Sequence, residues 1–304
     1  MRRRCVIRSG ADHRGAAGVV DHPGGHALGL VLVVLLAACS SPPSRPVNPA
    51  QTTAQAQSQN GARALRRGDL DGALAAYTEA LTAADSVEDF DTAGTQLLNL
   101  ALVHAKLGQV DAAHARLDRI LNAPQRYSET LQGQAAARKA LLLLDAGAHG
   151  TAMHWADRAQ AHCPEPCMLT PVMTNLRAFI ALERGDAQRA AGMAARSAEL
   201  AAAAGLAAEQ ANALRLQGRA QTRLGGTALA AQVLAQALHL DRELGLPERI
   251  ALDLMYAGEN EERRGETAAA REFFERALQV SLAARLGTLS ESLRSRLDKS
   301  GQAR

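Results

Sequence analysis

Aromatic residues and lysine are scarce in this 304-residue chain. Phe, Tyr and Trp make up 3% of the residues, and only three of the 34 basic residues are lysines. Proteins that bind nucleic acid need a basic surface and often use stacking aromatic side chains. Because the formal net charge is only +3, the sequence predicts no nucleic-acid partner.

The motifs of several common enzyme sites are also absent. No Lys follows a Gly, so there is no P-loop, and no two glycines have the spacing that G-x-G-x-x-G requires. No His is followed by Glu, which excludes the H-E-x-x-H zinc motif, and no Ser stands in G-x-S-x-G. We therefore predict that the chain is not an enzyme and uses no cofactor and no metal ion.

An apolar segment near the N-terminus ends at a cysteine. Residues 27–38 follow a basic start and are too few to span a bilayer, but they suit the hydrophobic region of a signal peptide. The motif Leu-Ala-Ala-Cys at 36–39 resembles a bacterial lipobox, in which the cysteine is lipidated and the preceding peptide is removed. We expect residues 1–38 to be a lipoprotein signal peptide and Cys39 to carry the lipid. Ordinary signal cleavage and an uncleaved anchor are the alternatives.

The segment after the lipobox has the composition of a linker. Residues 39–60 hold four of the ten prolines together with many Gln, Ser and Thr. This composition predicts a disordered tether that holds the body about 25 Å from the membrane. Residues 1–38 contain five Arg and two Asp, so their removal lowers the formal net charge from +3 to zero. The folded body is expected over residues 61–304.

Six glycines recur through the body at intervals of 38 to 40 residues. They are Gly68, Gly108, Gly147, Gly185, Gly225 and Gly265. Seven residues before each stands Gly or Ala, five after stands Ala, and nine after usually stands a larger residue. A fixed period of this size predicts a solenoid of helix pairs, with each glycine ending the first helix of its pair. We expect the larger residue to fill the space toward the neighbouring pair.

These columns resemble the tetratricopeptide repeat (TPR). The matching positions are Gly61, Ala73, Tyr77 and Ala80 in the first copy, and Gly258, Ala270, Phe274 and Ala277 in the last. The resemblance covers about residues 54–287 and implies an all-α, helix-turn-helix solenoid wound as a right-handed superhelix. The family's usual period is about 34 residues, so the extra residues lie in longer helices or longer joints. Leu289, Leu293 and Leu297 predict a further, capping helix at the C-terminus.

A second pair of cysteines lies within the body. Cys163 and Cys167 are four residues apart in a proline-containing segment, and an exported protein meets oxidising conditions. We predict a disulfide that staples this joint. Metal binding together with His154 or His162 is the alternative, although the spacing matches no familiar zinc pattern.

The TPR resemblance also implies a binding groove. In that family the first helices of successive pairs line a concave face that binds peptides or partner helices. The corresponding residues are Leu98, Leu102, Leu141, Leu144, Phe179, Leu182, Arg215, Arg219 and Arg223. They predict a groove that changes along its length from apolar to cationic and then to mixed charge, because the last copy presents Glu259, Glu262 and Arg263. In the alternative interpretation the leucines are ordinary core and the arginines pair with Glu259 and Glu262.

Together these features predict a lipid-anchored scaffold that binds a protein or peptide partner. Ser40 after the lipidated cysteine resembles lipoproteins of the outer membrane, which places the body in the periplasm, with the inner membrane as the alternative. TPR lipoproteins include assembly factors of type IV pili, so a role in assembling an envelope machine is the expectation. The alternative is an enzyme, or the regulatory subunit of one, that acts on cell-wall material.

Overall fold

The computed structural model describes residues 48–164 and 166–302, and α-helix is the only regular secondary structure within them. The thirteen helices of this part of the chain are α1 (Pro49–Arg66), α2 (Leu70–Asp85), α3 (Phe90–Lys106), α4 (Val110–Leu121), α5 (Glu129–Asp145), α6 (His149–Ala161), α7 (Thr170–Glu183), α8 (Ala187–Ala203), α9 (Ala207–Leu224), α10 (Thr227–Glu243), α11 (Pro247–Arg264), α12 (Thr267–Ala283) and α13 (Gly287–Gln302). The predicted signal peptide and Cys39 lie outside the described residues.

The first twelve helices form six antiparallel pairs, and the glycine register predicted each pair. All six repeat glycines lie between the two helices of a pair, with φ between 72° and 85°. This left-handed conformation closes the first helix, because the amide after the glycine can then donate back to the last turn. Asp69 N–H, for example, donates to the Ala64 carbonyl at 3.0 Å. The prediction that glycine ends each first helix is confirmed.

Most of the added length of the repeat lies in the helices. Nine of the twelve paired helices have 16 to 18 residues, and most joints between pairs are three or four residues long. Two joints are longer, at residues 122–128 and 162–169, and they follow the short helices α4 and α6. Both alternatives for the extra residues therefore hold, in different copies.

The two helices of a pair touch through complementary residues. A methyl group at Gly61 would lie 2.7 Å from the ring of Tyr77, and one at Gly258 would lie 2.5 Å from the ring of Phe274. The large residue of each of these copies therefore fills space over the glycine of its own pair, and the expectation that it points toward the neighbouring pair is wrong. Glycine faces the bulkiest side chains because only glycine leaves room for them.

The first helices form the inner layer of the stack. Consecutive first helices contact each other all the way from α1 to α11. Within the described residues, no two second helices make comparable contact. Because the first helices lie closer to one another than the second helices do, the first helices are on the inside of the curved stack. We call the surface of these six helices the inner face.

The C-terminal end of the solenoid is covered by α13. At the C-terminal end Leu293 of α13 is fully buried, with Leu289 and Leu297 packed around it. The opposite side of α13 is polar and exposed, so the prediction of a capping helix is confirmed.

At the N-terminal end the first helix begins earlier than predicted. Residues 49–60 belong to α1, so the expectation of disorder over them is wrong. The side chain of Asn48 accepts a hydrogen bond from Ala50 N–H at 3.0 Å, and Pro49 fits the first turn because it needs no hydrogen-bond partner for its nitrogen. Small residues at Ala54 and Gly61 allow the helix to pack closely, so its many glutamines do not prevent folding. Within residues 48–164 and 166–302, no helix combines the length and the apolar character needed to cross a membrane.

Candidate functional site

The inner face contains three open cavities between neighbouring first helices. The cavity between α1 and α3 measures about 360 Å³ and is lined mainly by Gln, Ser and Thr. The second, between α3 and α5, measures about 210 Å³, and the third, between α9 and α11, about 260 Å³. The inner face therefore changes from neutral polar to apolar to charged along the chain.

The cavity between α3 and α5 is the apolar one, and we call it the middle cavity. Leu102, Leu141 and Leu142 line it, with Ala101 and Ala105 beside them. Leu141 is 37% exposed, so its side chain is open to solvent at this cavity. Two of the predicted groove residues, Leu102 and Leu141, thus meet at one open apolar site.

Two oppositely charged residues that the sequence analysis did not select also line the middle cavity. Arg138 and Asp145 both lie on α5, one on each side of Leu141. Burial lowers the pKa of the Arg138 guanidinium, and it raises the pKa of the Asp145 carboxyl. Within the described part of the chain, neither side chain has an ion pair or a side-chain hydrogen bond.

Other predicted groove leucines are core residues. Leu98 is 4% exposed and Leu182 is 0% exposed, so neither can contact a partner. Leu144 is half-buried and packs against the main core. For Leu98 and Leu182 the groove prediction is wrong, because helical spacing alone does not distinguish the side of a first helix that faces its own pair from the side that faces outward.

Arg215 is also buried, at 6% exposure, and is no part of a cationic groove. Its Nε donates to Asp253 Oδ1 at 2.6 Å, and its NH2 group donates to Asp241 Oδ2. Both carboxylates are 0% exposed, and each keeps one buried oxygen without a hydrogen-bond partner. The cluster joins α9, α10 and α11, so Arg215 connects the fifth pair to the sixth.

Arg219 and Arg223 do reach the inner face, but neither is a free cation. Arg219 donates to Glu183 at 3.1 Å and lies between two rings, 4.6 Å from the centre of Tyr256 and 5.7 Å from that of Phe179. Arg223 donates to the Leu182 carbonyl. Burial raises the pKa of Tyr256, and the nearby Arg219 partly offsets that effect.

The glutamates proposed as alternative partners pair elsewhere. Arg296 of α13 donates to Glu259 at 2.6 Å and to Glu262 at 3.1 Å. Arg219 and Arg223 lie instead close to Glu183 of the preceding first helix. Arg219 and Arg223 line the cavity between α9 and α11 together with Glu259, so this stretch of the inner face carries charges of both signs.

The structure brings Cys163 and Cys167 together as a disulfide, with their Cα atoms 5.4 Å apart. The bond closes the long joint between α6 and α7, where the chain lacks the short glycine turn of other joints. A surface depression of about 680 Å³ adjoins it, lined by Cys167, Met168 and Pro171 among others. Among the described residues, no group of three or more His, Cys, Asp or Glu side chains is arranged to hold a metal ion.

Comparison with known proteins connects this geometry to a fold. No family model and no curated protein sequence matches the chain. The Rap protein solved in complex with competence and sporulation factor superposes with a TM-score of 0.56 and 13% identity, over 83% of this chain and 77% of that one. BtubC from P. vanneervenii superposes with a TM-score of 0.54 and 16% identity, over 79% and 93%. A tetratricopeptide repeat protein from Parabacteroides merdae gives a TM-score of 0.46 and 12% identity, over 82% and 99%.

The fold is a TPR-like solenoid. The similarity extends over most of the body, whereas the low sequence identities limit it to architecture. This sequence itself encodes two features of the TPR solenoid: six glycine-closed pairs, and three pairs in which a glycine faces a large side chain (Gly61 and Tyr77, Gly218 and Leu234, Gly258 and Phe274).

Proposed function

We propose that this protein is a lipid-anchored scaffold that binds a segment of a partner protein on its inner face. The observation that carries the proposal is the middle cavity, an open apolar site on the layer of first helices. Exposed Leu141 loses contact with water when an apolar side chain enters the cavity, which favours binding. A rigid array of helices presents this site without reorganising, which lowers the entropic cost of association.

The cavities give little support to the enzyme alternative. The three inner-face cavities each have only one carboxylate in their lining, Asp89, Asp145 and Glu259 respectively. The Asp241 and Asp253 carboxylates lie close together, but both are fully buried and have no access for a substrate. An enzyme that hydrolyses cell-wall sugars needs two carboxylates that flank the scissile bond.

The sequence of the N-terminus supports a periplasmic position for the scaffold. The basic start, the apolar run of residues 27–38 and the lipobox-like motif ending at Cys39 are together typical of an exported lipoprotein. Ser40 favours the outer membrane, and a disulfide between Cys163 and Cys167 fits an oxidising compartment. The partner would then be a protein of the cell envelope, such as a component of a pilus-type assembly.

Photo-crosslinking tests the binding face directly. A photoreactive amino acid is placed at Leu141 on the inner face, or at Leu229 on the second helix α10, which has a similar exposure of 41%. In cells that express the full chain, discrete adducts should form from position 141 and not from position 229. Equal adduct patterns from the two positions would mean that the inner face is not the binding surface.

The anchor is tested by substituting the lipobox cysteine. The Cys39→Ser variant should lose the acyl-modified N-terminal peptide in mass spectrometry and move from the membrane fraction to the soluble fraction. A variant that stays in the membrane fraction, without any lipid adduct on the wild type, would support the uncleaved anchor instead.

A further inference from the structure

A buried ion cluster joins the fifth helix pair to the sixth. Arg215 of α9 donates to Asp241 of α10 and to Asp253 of α11, and none of the three side chains is more than 7% exposed. If both carboxylates are ionised, their two negative charges exceed the one positive charge of the guanidinium. The cluster then holds a net negative charge away from water, which is energetically costly.

One bound proton removes this excess charge. The carboxyl groups of Asp241 and Asp253 lie within hydrogen-bond reach of each other. Oδ1 of Asp241 and Oδ2 of Asp253 are buried, and no group of the described residues donates a hydrogen bond to either atom. A proton held between the two carboxyl groups makes the cluster neutral and adds a hydrogen bond that the ionised form lacks. The cluster is therefore most stable in its singly protonated form.

The charges that act on Asp253 come from two neighbouring helices. Burial is the largest cause that raises its pKa, to about 7, while Arg215 of α9 opposes this rise and Asp241 of α10 adds to it. Helix α12 also packs against α11, but within the described residues it adds no charge that acts on Asp253. On α11 itself, Arg249 lies one turn before Asp253 and donates to the Ala208 carbonyl at 2.8 Å. The shared proton is therefore bound in mildly acidic solution and lost around neutral pH.

The buried apolar residues on the two sides of this junction form separate clusters. Ala213 and Val233 belong to the cluster of the fifth pair, whereas Leu254 and Phe274 belong to that of the sixth pair, which Leu238 of α10 also joins. In contrast, one continuous apolar cluster runs from α1 to α7. Because the stability of a repeat array depends on each interface between neighbours, the attachment of the last pair is sensitive to the ion cluster.

We propose that the cluster of Arg215, Asp241 and Asp253 is a pH-sensitive latch for the sixth pair and the capping helix. A proton shared by the two carboxyl groups closes the latch in mildly acidic solution. Loss of this proton as the pH rises to neutrality lets residues 247–302 open locally. The cavity between α9 and α11 spans the same junction, so it is intact only while the latch is closed.

Proton linkage sets the sign and size of the effect. Asp253 has its ordinary pKa of 3.8 once it is exposed to water, whereas in the closed latch its pKa is about 7. The closed state thus binds the proton more tightly, so its advantage is greatest below about pH 4 and is lost as the pH rises to about 7. The opening equilibrium should increase about 100-fold between pH 5 and pH 8 and level off above that.

Hydrogen exchange of the full chain, purified in detergent, measures this local opening. Exchange is followed by mass spectrometry at pH 5, 6, 7 and 8. Each rate is compared with the intrinsic rate of an unstructured peptide at the same pH, which gives a protection factor. Helices α11 and α12 report on the latch, and α3 and α5 in the same sample are the internal reference.

Two substitutions remove the proton from the cluster without removing its hydrogen bonds. In Asp253→Asn and in Asp241→Asn, an amide N–H donates permanently to the carboxylate that remains. His239→Gln is the matched control, because histidine ordinarily titrates near neutral pH. His239 is the only histidine of the last two pairs, and its side chain is 72% exposed on α10. Thermal melting followed by circular dichroism verifies that each variant folds.

The wild type and the His239→Gln control should behave alike. The protection of α11 and α12 should fall about 100-fold from pH 5 to pH 8 in both, while that of α3 and α5 changes little. In Asp253→Asn the protection of α11 and α12 should change by no more than about twofold over the same range. Asp241→Asn should give the same result, so either variant alone is a sufficient test.

Several results would overturn the latch. Wild-type protection of α11 and α12 that is equal at pH 5 and pH 8 would do so, as would a fall that extends equally to α3 and α5. A fall that persists in a folded Asn variant, or that disappears in His239→Gln, would assign the response to another group. None of these results bears on partner binding, which the crosslinking at Leu141 tests separately.

Discussion

Replacing Asp253 by Asn should change how the stability of the solenoid depends on pH. Two fully buried carboxylates, Asp253 and Asp241, face the single guanidinium of Arg215. Burial is the main reason that the pKa of Asp253 rises from 3.8 to about 7, and the Asp241 carboxylate adds to it while Arg215 opposes it. At neutral pH this acid is therefore close to half-protonated inside the core.

The sign and size of the effect follow from proton linkage. The folded protein holds the proton of Asp253 more tightly than the unfolded chain, so the free energy of unfolding falls as pH rises from about 4 to about 7. A shift of about three pKa units corresponds to at most about 4 kcal/mol. Asn cannot ionise, so the Asp253→Asn variant lacks this loss and becomes more stable relative to the wild type as pH rises.

Urea denaturation followed by circular dichroism measures this difference between pH 4 and pH 8. The stability difference between Asp253→Asn and the wild type should shift by about 2–4 kcal/mol in favour of the variant. Asp157→Asn is the matched control, because Asp157 pairs with Arg177 at the surface and is 67% exposed. Stability curves of wild type and Asp253→Asn that run parallel across this range would refute the reasoning.

Three further sets of variants test the packing of the solenoid through denaturant or thermal unfolding. Gly258→Ala should lower the free energy of unfolding by about 1–2 kcal/mol, because the added methyl group meets an aromatic ring. Gly192→Ala, which has open space around it in α8, should raise the free energy of unfolding by about 0.5–1 kcal/mol. Equal effects of the two substitutions would contradict the close packing of the helix pair. Arg285→Gly should raise stability by about 0.5–1 kcal/mol because φ is 59° at this non-glycine residue, and a similar gain from Arg285→Ala would exclude backbone strain as the cause. Replacing both Cys163 and Cys167 by Ser should cost about 2 kcal/mol through the lost loop constraint, and an unchanged melting temperature would show that the bond is not formed in solution.

The glycine register allowed the architecture to be predicted from the sequence. A left-handed glycine is required wherever the first helix turns sharply into the second, so Gly68 and its counterparts mark every pair. The start of α1 was not predictable from composition, since proline and glutamine around residues 42–60 are typical of linkers. Ala54 is buried against the next helices, and this tertiary contact is what makes the segment helical.

The binding face was only partly predictable. Leu102 and Leu141 have the right spacing, but the same spacing also described Leu98 and Leu182, which are core. The burial of Arg215 depends on carboxylates 26 and 38 residues away. One signal was present in the sequence: Asp241 occupies the repeat position that Ala84, Ala201 and Ser281 hold elsewhere, and a charge in a column of small residues indicates a buried pairing.

The measurement that tests the inner face most directly is hydrogen exchange with and without a peptide that has been selected on the full chain from a random peptide library. The account predicts that bound peptide slows exchange in α3 and α5, on either side of the middle cavity, and leaves the second helices α4 and α6 unchanged. Slower exchange confined to the second helices, or to the joint at residues 162–169, would contradict it.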